Sequence, residues 1–110
     1  MIDVKAKFVA VNSYGIDPGD LSRMAREVRL IAERRAPLMS GFIESVIMAN
    51  QEHTRLVIVS LWDSQHAWSA AQWDEEIGRV VSDIAESAQS FEVHTYEPIS
   101  VVRLGVDVQP

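Results

Sequence analysis

The stretch Leu56-Val57-Ile58-Val59-Ser60-Leu61-Trp62-Asp63-Ser64-Gln65-His66-Ala67-Trp68 decides the fold that we predict for this chain. It indicates a strand that runs directly into a helix. Because side chains alternate along a strand, the odd-numbered residues of 56–62 share one face and the even-numbered residues share the other. Both faces are largely apolar, so the strand needs a cover on each side. A single layer of helices supplies one cover, and we expect the second from another subunit.

Composition restricts the class of protein. The chain has 110 residues, 47% of them hydrophobic, and we expect a single domain over residues 1–110. A balance of 10 basic against 16 acidic residues argues against binding to nucleic acid or to an acidic membrane surface. Cysteine is absent, which excludes disulfides and thiolate chemistry and fits a reducing cytoplasm. Asp3, Lys5 and Lys7 interrupt the N-terminal apolar residues, so we expect no signal peptide, and no apolar run approaches the ~18 residues of a membrane span.

Period-two alternation and β-forming residues predict four strands. They lie at residues 4–12, 42–50, 54–62 and 91–103. A turn at residues 51–53 joins the second strand to the third in a hairpin. Pro98 cannot donate a hydrogen bond to a neighbouring strand, so we expect an edge position, a bulge or a change of direction there.

Helical spacing of apolar residues predicts two helices between the strands. Asp17 is the expected N-cap of the first helix, which ends before Pro37. Asp63 or Ser64 is the expected cap of the second helix, in which we predict a bend or a break within residues 73–78.

The element order is therefore β-α-β-β-α-β, the ferredoxin-like arrangement of the α+β class. It places four antiparallel strands in one sheet and both helices on one face of that sheet. The other face stays bare, and in this chain it is apolar, which usually marks an interface. The simplest cover is the same face of a second copy, related by a two-fold axis. We expect the apolar tail at residues 101–106 to reach that partner.

Two local motifs carry a resemblance to a known family. The third strand is followed by Trp62-Asp63-Ser64-Gln65-His66-Ala67-Trp68, and Ser40-Gly41-Phe42 opens the second strand. Together with the element order, these motifs resemble the antibiotic biosynthesis monooxygenase-like proteins of the dimeric α/β-barrel superfamily. The resemblance implies a homodimer in which two ferredoxin-like sheets form an α/β barrel. It also implies a pocket between sheet and helices that binds a small aromatic substrate.

The resemblance further implies a chemistry. Oxygenases of this family need no cofactor, because the deprotonated aromatic substrate itself supplies the electron to dioxygen. We therefore expect a cofactor-independent monooxygenase that acts on an aromatic hydroquinone or a polyketide-like substrate. The superfamily also holds haem-degrading enzymes, isomerases and cyclases, so the fold alone does not select the reaction.

Three residues correspond to pocket positions of the family. Trp62 matches a pocket tryptophan at the end of the strand, and Trp68 takes the place of an aromatic residue one turn into the helix. Asn12 resembles an asparagine of the first strand whose amide binds a substrate or ligand oxygen, and we expect it to act with Trp62 in catalysis. From the residues alone, Asn12 could instead shape a turn before Tyr14-Gly15.

Two positions depart from the family pattern. Ile58 stands where quinol-oxidising members carry an amide that holds the substrate. Val80 lies near the position of the axial histidine of haem-degrading members, so we do not expect haem as the substrate. The three histidines are scattered, without the spacing of a metal site, and we expect no metal.

Polar residues that interrupt apolar strand faces are further candidates, because a buried polar group needs a partner. Ser60 lies two residues before Trp62 and shares its face. Glu44 interrupts the second strand. His94 shares a face of the last strand with Tyr96, so we expect His94 as a general base or hydrogen-bond donor and Tyr96 as a substrate contact. A structural histidine is the alternative.

Two other uses of the same fold stay open. A non-redox cyclase, isomerase or small-molecule-binding protein would use the same pocket, and an isomerase would need an inward carboxylate or histidine such as Glu44 or His94. A purely structural or sensing dimer would be favoured if Met24, Met39, Met48 and the tryptophans filled the pocket.

Overall fold

The computed structural model describes residues 6–102 and has one sheet covered by helices. The strands are β1 (Phe8–Gly15), β2 (Phe42–Ala49), β3 (Arg55–Trp62) and β4 (Ser90–Tyr96). The helices are α1 (Leu21–Arg35), α2 (Gln65–Ala71) and α3 (Glu75–Ser87). The predicted α+β class and ferredoxin-like order are confirmed, with the second helix divided in two.

The four strands pair antiparallel in the order β2-β3-β1-β4, so β1 and β3 are the central strands. The helices pack on one face of the sheet. At one end, Tyr14 and Leu56 of the sheet are buried in one cluster with Met24, Val28 and Ile84 of the helices. We call this the helix-covered face, and the opposite one the outer face.

The first strand differs from its prediction. Residues 4 and 5 lie outside the described residues, and the predicted end of the strand at residue 12 is wrong because the strand continues to Gly15. Tyr14 explains the continuation, since it pairs with Leu56 on one side and Phe91 on the other and is fully buried. Asn12 therefore lies within the strand, and the alternative that it shapes a turn is also wrong.

The predicted cap of the second helix is confirmed, whereas Asp17 caps the 3-10 turn before α1 and not α1 itself, whose N-cap position is Asp20. The Asp17 side chain accepts a hydrogen bond from the Gly19 N–H at 3.0 Å, in a short 3-10 turn that leads into α1. Ser64 Oγ accepts from the Ala67 N–H at 3.0 Å and caps α2. The predicted break falls between Ala71 and Glu75, and Gly78 lies inside α3.

The last strand ends earlier than predicted, at Tyr96, and residues 97–102 form no regular element. β4 is an edge strand, as Pro98 led us to expect. The predicted continuation to residue 103 and most of the apolar tail, residues 103–106, lie outside the described residues.

The outer face is apolar at its centre, as predicted, and carries polar residues such as Glu44 and His94 on its edge strands β2 and β4. Val9 and Leu61 are buried there with Ala6, and Val11 and Val59 are half-buried beside them. No helix in the described part of the chain is long and apolar enough to cross a membrane.

Candidate active site

A cavity of about 120 Å³ lies between the helix-covered face of the sheet and the three helices. Four of the residues predicted from the sequence line it, namely Asn12, Ser60, Trp62 and Trp68. Strand parity and register explain why Asn12, Ser60 and Trp62 lie together. Ser60 pairs with Ala10 and Trp62 pairs with Phe8, and both of these β1 residues share a strand face with Asn12.

The tryptophans form an aromatic wall of the cavity. Trp62 is 5% exposed, and its Nε1–H donates a hydrogen bond to Ser60 Oγ at 3.0 Å. Its ring meets Phe42 edge to face, with centroids 5.4 Å apart. The Trp68 ring packs against Phe8 at 5.3 Å. These contacts fix the orientation of both indoles, so a planar ligand would meet a preformed aromatic surface.

Tyr14 also lines the cavity, and sequence reasoning missed it. The residue is fully buried, and its hydroxyl forms no hydrogen bond of good geometry with any described residue. Burial raises the pKa of the phenol, and the nearby Asn12 side chain offsets part of that rise. The phenol is therefore a neutral donor at ordinary pH. Its parity with Asn12, two residues earlier on the strand, was the available sequence signal.

Ser45 lines the cavity in place of the predicted Glu44. The ladder between β2 and β3 shifts between Phe42 and Glu44, so that Glu44 pairs with Leu61 on the outer face. This β-bulge reverses the parity of the strand, because it adds one residue to one side of the ladder. The predicted contact of Glu44 with the substrate pocket is wrong for that reason, and the same shift brings Ser45 inward.

His94 and Tyr96 do not reach the cavity either. His94 pairs with Val11 and Tyr96 with Val9, so both lie on the outer face, and both are exposed. They do share one strand face, as predicted, but it is the face opposite to Asn12. The pocket positions predicted for His94 and Tyr96 are therefore wrong.

None of the residues from 6–102 that line the cavity is charged. Asn12, Tyr14, Ser45, Ser60 and Gln72 are its polar side chains besides the indoles, and the remaining lining residues are apolar. Ile58 and Val80, the two departures from the family pattern, both line it. Within residues 6–102, no group of three or more acidic or histidine side chains is placed to hold a metal ion.

An ion pair ties the helices together beside the cavity. Arg35, at the end of α1, donates to Asp74 Oδ2 from Nη2 at 2.6 Å and from Nε at 3.2 Å. Asp74 Oδ1 accepts from the Ile77 N–H at 3.0 Å and so caps α3. The hydrogen bonds from Arg35 and Ile77 hold the pKa of the Asp74 carboxyl below its usual value. Ala36 follows Arg35, Ile77 follows Asp74 by three residues, and both line the cavity. The ion pair between Arg35 and Asp74 therefore fixes the position of α1 relative to α3 at the cavity.

The cavity is open space that methionines do not fill. Met39 lines it, Met24 belongs to the buried core, and Met48 is exposed at the end of β2. An open groove of about 280 Å³ shares Ala32, Phe42 and Ser45 with the cavity and runs along β2. A ligand can thus bury one ring in the cavity and extend into the groove.

The fold and the cavity define an α+β protein with an uncharged, tryptophan-walled site between an antiparallel sheet and its helices. No protein-family model and no curated protein matches the chain. Solved structures do match it over nearly its whole length.

The structural matches have low sequence identity. A monooxygenase from the gene ActVA-Orf6 of Streptomyces coelicolor, in complex with the ligand nanaomycin D, gives a TM-score of 0.85 at 16% identity, over 94% of this chain and 96% of that chain. Rv0793 from Mycobacterium tuberculosis gives a TM-score of 0.76 at 10% identity, over 89% of this chain and 100% of that chain. A protein described as antibiotic biosynthesis monooxygenase gives a TM-score of 0.73 at 15% identity, over 84% of this chain and 99% of that chain. The chain has the fold of the antibiotic biosynthesis monooxygenase-like proteins, as its sequence motifs predicted.

Proposed function

We propose that this protein is a cofactor-independent monooxygenase that oxidises an aromatic hydroquinone or a polyketide-like substrate in the cavity. The observation that carries the proposal is the cavity itself, with its two tryptophans, neutral hydrogen-bonding groups and uncharged lining. Small-molecule sites are mostly apolar with a few placed polar groups. The likeness in fold to a monooxygenase crystallised with nanaomycin D supports the same proposal.

In the proposed complex, a substrate ring stacks on Trp62 and Trp68. Asn12 offers an amide to a substrate oxygen. Ser60 accepts its hydrogen bond from Trp62, so its own hydroxyl proton is left to donate to the substrate. These groups orient the substrate in a site of low polarity, where each hydrogen bond is stronger than in water.

The reaction balances without a further oxidant or reductant. In an anthrone-type substrate, the CH₂ carbon gains one oxygen atom of dioxygen and becomes a carbonyl. The two hydrogens of that carbon leave with the second oxygen atom as water. The substrate is oxidised and dioxygen is reduced, so the substrate supplies all of the electrons.

The uncharged lining makes a specific prediction about pH. None of the described residues that line the cavity is a carboxylate, histidine or lysine, so none of them can act as such a base for the first proton of the substrate. Turnover should therefore follow the ionisation of the substrate and rise with pH through the substrate's own pKa. A rate profile measured with two substrates of different pKa tests this, because an enzyme base would give the same profile with both.

An oxygen-uptake assay tests the activity. Benzenediol, naphthalenediol and anthrone substrates should consume dioxygen without added metal, flavin or nicotinamide, and Trp62→Phe should lower turnover while the protein stays folded. Trp73→Phe is the matched control, since Trp73 is 86% exposed and lies away from the cavity lining. Absence of uptake with every substrate, or equal turnover in the two variants, would contradict the proposal.

A non-redox use of the cavity is the second candidate, and the lining favours its binding form. An isomerase or cyclase with an inward base is disfavoured, because Glu44 and His94 both lie on the outer face. A small-molecule-binding protein needs only the aromatic wall and the neutral donors. Tight binding of these ligands without oxygen uptake would select this candidate.

We also propose a homodimer that joins the outer faces of two copies, in the cytoplasm that the cysteine-free composition suits. The support is the apolar outer face, on which Val57 and Val59 stay half-buried and Met48 is exposed. Light scattering should give twice the mass of one chain, and Val57→Glu should give one chain. Leu38→Glu, at an exposed position before β2, is the control that should leave the mass unchanged. A folded wild-type monomer at micromolar concentration would refute the dimer.

A further inference from the structure

The lining of the cavity includes a buried polar group, the hydroxyl of Tyr14, that the sheet and helices leave without a well-formed hydrogen bond. The Tyr14 hydroxyl lines the cavity and is shielded from solvent, and no described residue forms a hydrogen bond of good geometry with it, although the Asn12 side chain lies near enough to act on its pKa. A buried hydroxyl without a partner lowers the stability of a protein, because it has lost its hydrogen bonds to water.

The tyrosine ring alone does not explain this residue. The ring stacks on Phe91 with centroids 4.8 Å apart and packs among core residues of α1 and α3. A phenylalanine would make the same contacts without the unpartnered hydroxyl. The hydroxyl therefore points to a partner other than residues 6–102.

The surroundings restrict the chemistry of that partner. None of the described lining residues is charged, so a ligand group with a permanent, localised charge would be buried there without a counter-ion, unlike the delocalised anion of an ionised aromatic substrate. The phenol is neutral and carries one proton to donate, since burial raises its pKa. The matching group on a ligand is a neutral oxygen acceptor attached to an aromatic framework, and the amide of Asn12 lies beside the same position.

We propose that the Tyr14 hydroxyl donates a hydrogen bond to a carbonyl oxygen of the ligand, so that the site selects neutral aromatic ketones and quinone-type compounds over the same ring systems without the oxygen. The inference deepens the proposed function and rests on it for the location of the substrate. It makes Tyr14 the residue that fixes which end of the substrate enters first. The opposite end of the ring system then meets Trp62 and Trp68.

Calorimetric titration with 1-tetralone and tetralin tests the selection. The two compounds share one ring framework, and only tetralone carries the carbonyl. Neither is a hydroquinone substrate, so the result does not depend on turnover. Wild type should bind tetralone more tightly than tetralin, and Tyr14→Phe should weaken the binding of tetralone by about two- to tenfold, the usual range for one hydrogen bond. The affinity for tetralin should stay unchanged. Tyr96→Phe, an exposed tyrosine on the outer face, is the matched control.

Two further measurements separate a ligand contact from a structural role. The infrared carbonyl stretch of bound tetralone should lie at lower frequency in wild type than in Tyr14→Phe. Without ligand, Tyr14→Phe should melt at a higher temperature than wild type, because it removes an unpartnered buried group. Equal preference for tetralone in both proteins, an unchanged carbonyl stretch, or a lower melting temperature of the variant would each overturn the inference.

The outcomes also separate this inference from the monooxygenase proposal. If Tyr14→Phe loses the preference for tetralone while wild type consumes no dioxygen with any substrate, the carbonyl contact stands and the oxygenase proposal fails. If wild type consumes dioxygen and the variant keeps the preference, the carbonyl contact fails and the oxygenase proposal stands.

Discussion

Trp62→Phe probes both the core and the cavity, and its cost can be worked from the contacts of the indole. The side chain is 5% exposed, so the smaller ring loses roughly 40 Å² of buried apolar surface, about 1 kcal/mol. The variant also loses the Nε1–H donor to Ser60 Oγ at 3.0 Å, a further loss of about 1 kcal/mol. We expect the free energy of unfolding to fall by about 2 kcal/mol and the melting temperature by roughly 8 °C.

A double-mutant cycle isolates the hydrogen bond. Ser60→Ala should cost about 1 kcal/mol in wild type and close to nothing in the Trp62→Phe background, because the bond is already gone there. Urea unfolding followed by far-ultraviolet circular dichroism measures each variant, at one protein concentration since self-association shifts apparent stability. Trp73→Phe, at an exposed position, should stay within about 0.5 kcal/mol of wild type. A Ser60→Ala cost that is the same in both backgrounds would refute the reasoning.

The remaining predictions concern pH and backbone. Asp74→Asn keeps a good N-cap for α3 but loses the ion pair with Arg35, so it should lower the free energy of unfolding at neutral pH. The difference from wild type should vanish as pH falls below 3.8, the ordinary pKa of aspartate, through the lowered pKa of Asp74 in the fold. Gly41→Ala should cost about 2 kcal/mol or more, because the backbone there has φ of +84° and an added Cβ comes within 2.5 Å of a side chain of α2. Gly78→Ala should stabilise by about 0.5–1 kcal/mol, since it lies in a helix and an added Cβ meets nothing within 4 Å. Wild type should lose stability relative to Tyr14→Phe as pH rises above 10.0, the ordinary phenol pKa, toward the raised value in the fold.

Thermal and urea unfolding between pH 2 and 11 measure all four. An Asp74→Asn difference that persists unchanged at the acid end would contradict the pairing with Arg35. The glycine substitutions control for each other, and equal effects at Gly41 and Gly78 would contradict the backbone argument. For Tyr14, parallel alkaline profiles of variant and wild type would show that the phenol is not buried in the folded state.

The order of elements followed from the sequence because the periods of its apolar residues differ between strands and helices. The caps Asp17 and Ser64 followed from local hydrogen-bonding chemistry, and both are present. The end of β1 did not, because residues 13–15 have turn chemistry and continue as a strand only where Tyr14 packs under α1 and α3. Tertiary burial overrode the local preference there.

Four of the seven residues predicted for the site line the cavity, and the strand geometry explains why the other three do not. Alternation along a strand groups residues by face, so Ser60 and Trp62 were correctly placed together, as were His94 and Tyr96. Alternation cannot say which group faces the helices, because that depends on pairing with the neighbouring strand. The register of β4 on β1 puts His94 opposite Val11 and decides the matter.

The bulge in β2 gives this site an unusual sensitivity to chain length. The extra residue near Ile43 is what turns Ser45 inward and Glu44 outward. If the ladder were regular from Phe42 onward, Glu44 would lie opposite Ser60 and a carboxylate would enter the cavity. An acidic site and a neutral site are thus one step of strand register apart, with no substitution needed. Deletion of Ser45 would remove the extra residue and leave the pairing of Val46 with Val59 and the hairpin unchanged, which offers a direct route from a cavity that only orients its ligand to one that carries a proton acceptor.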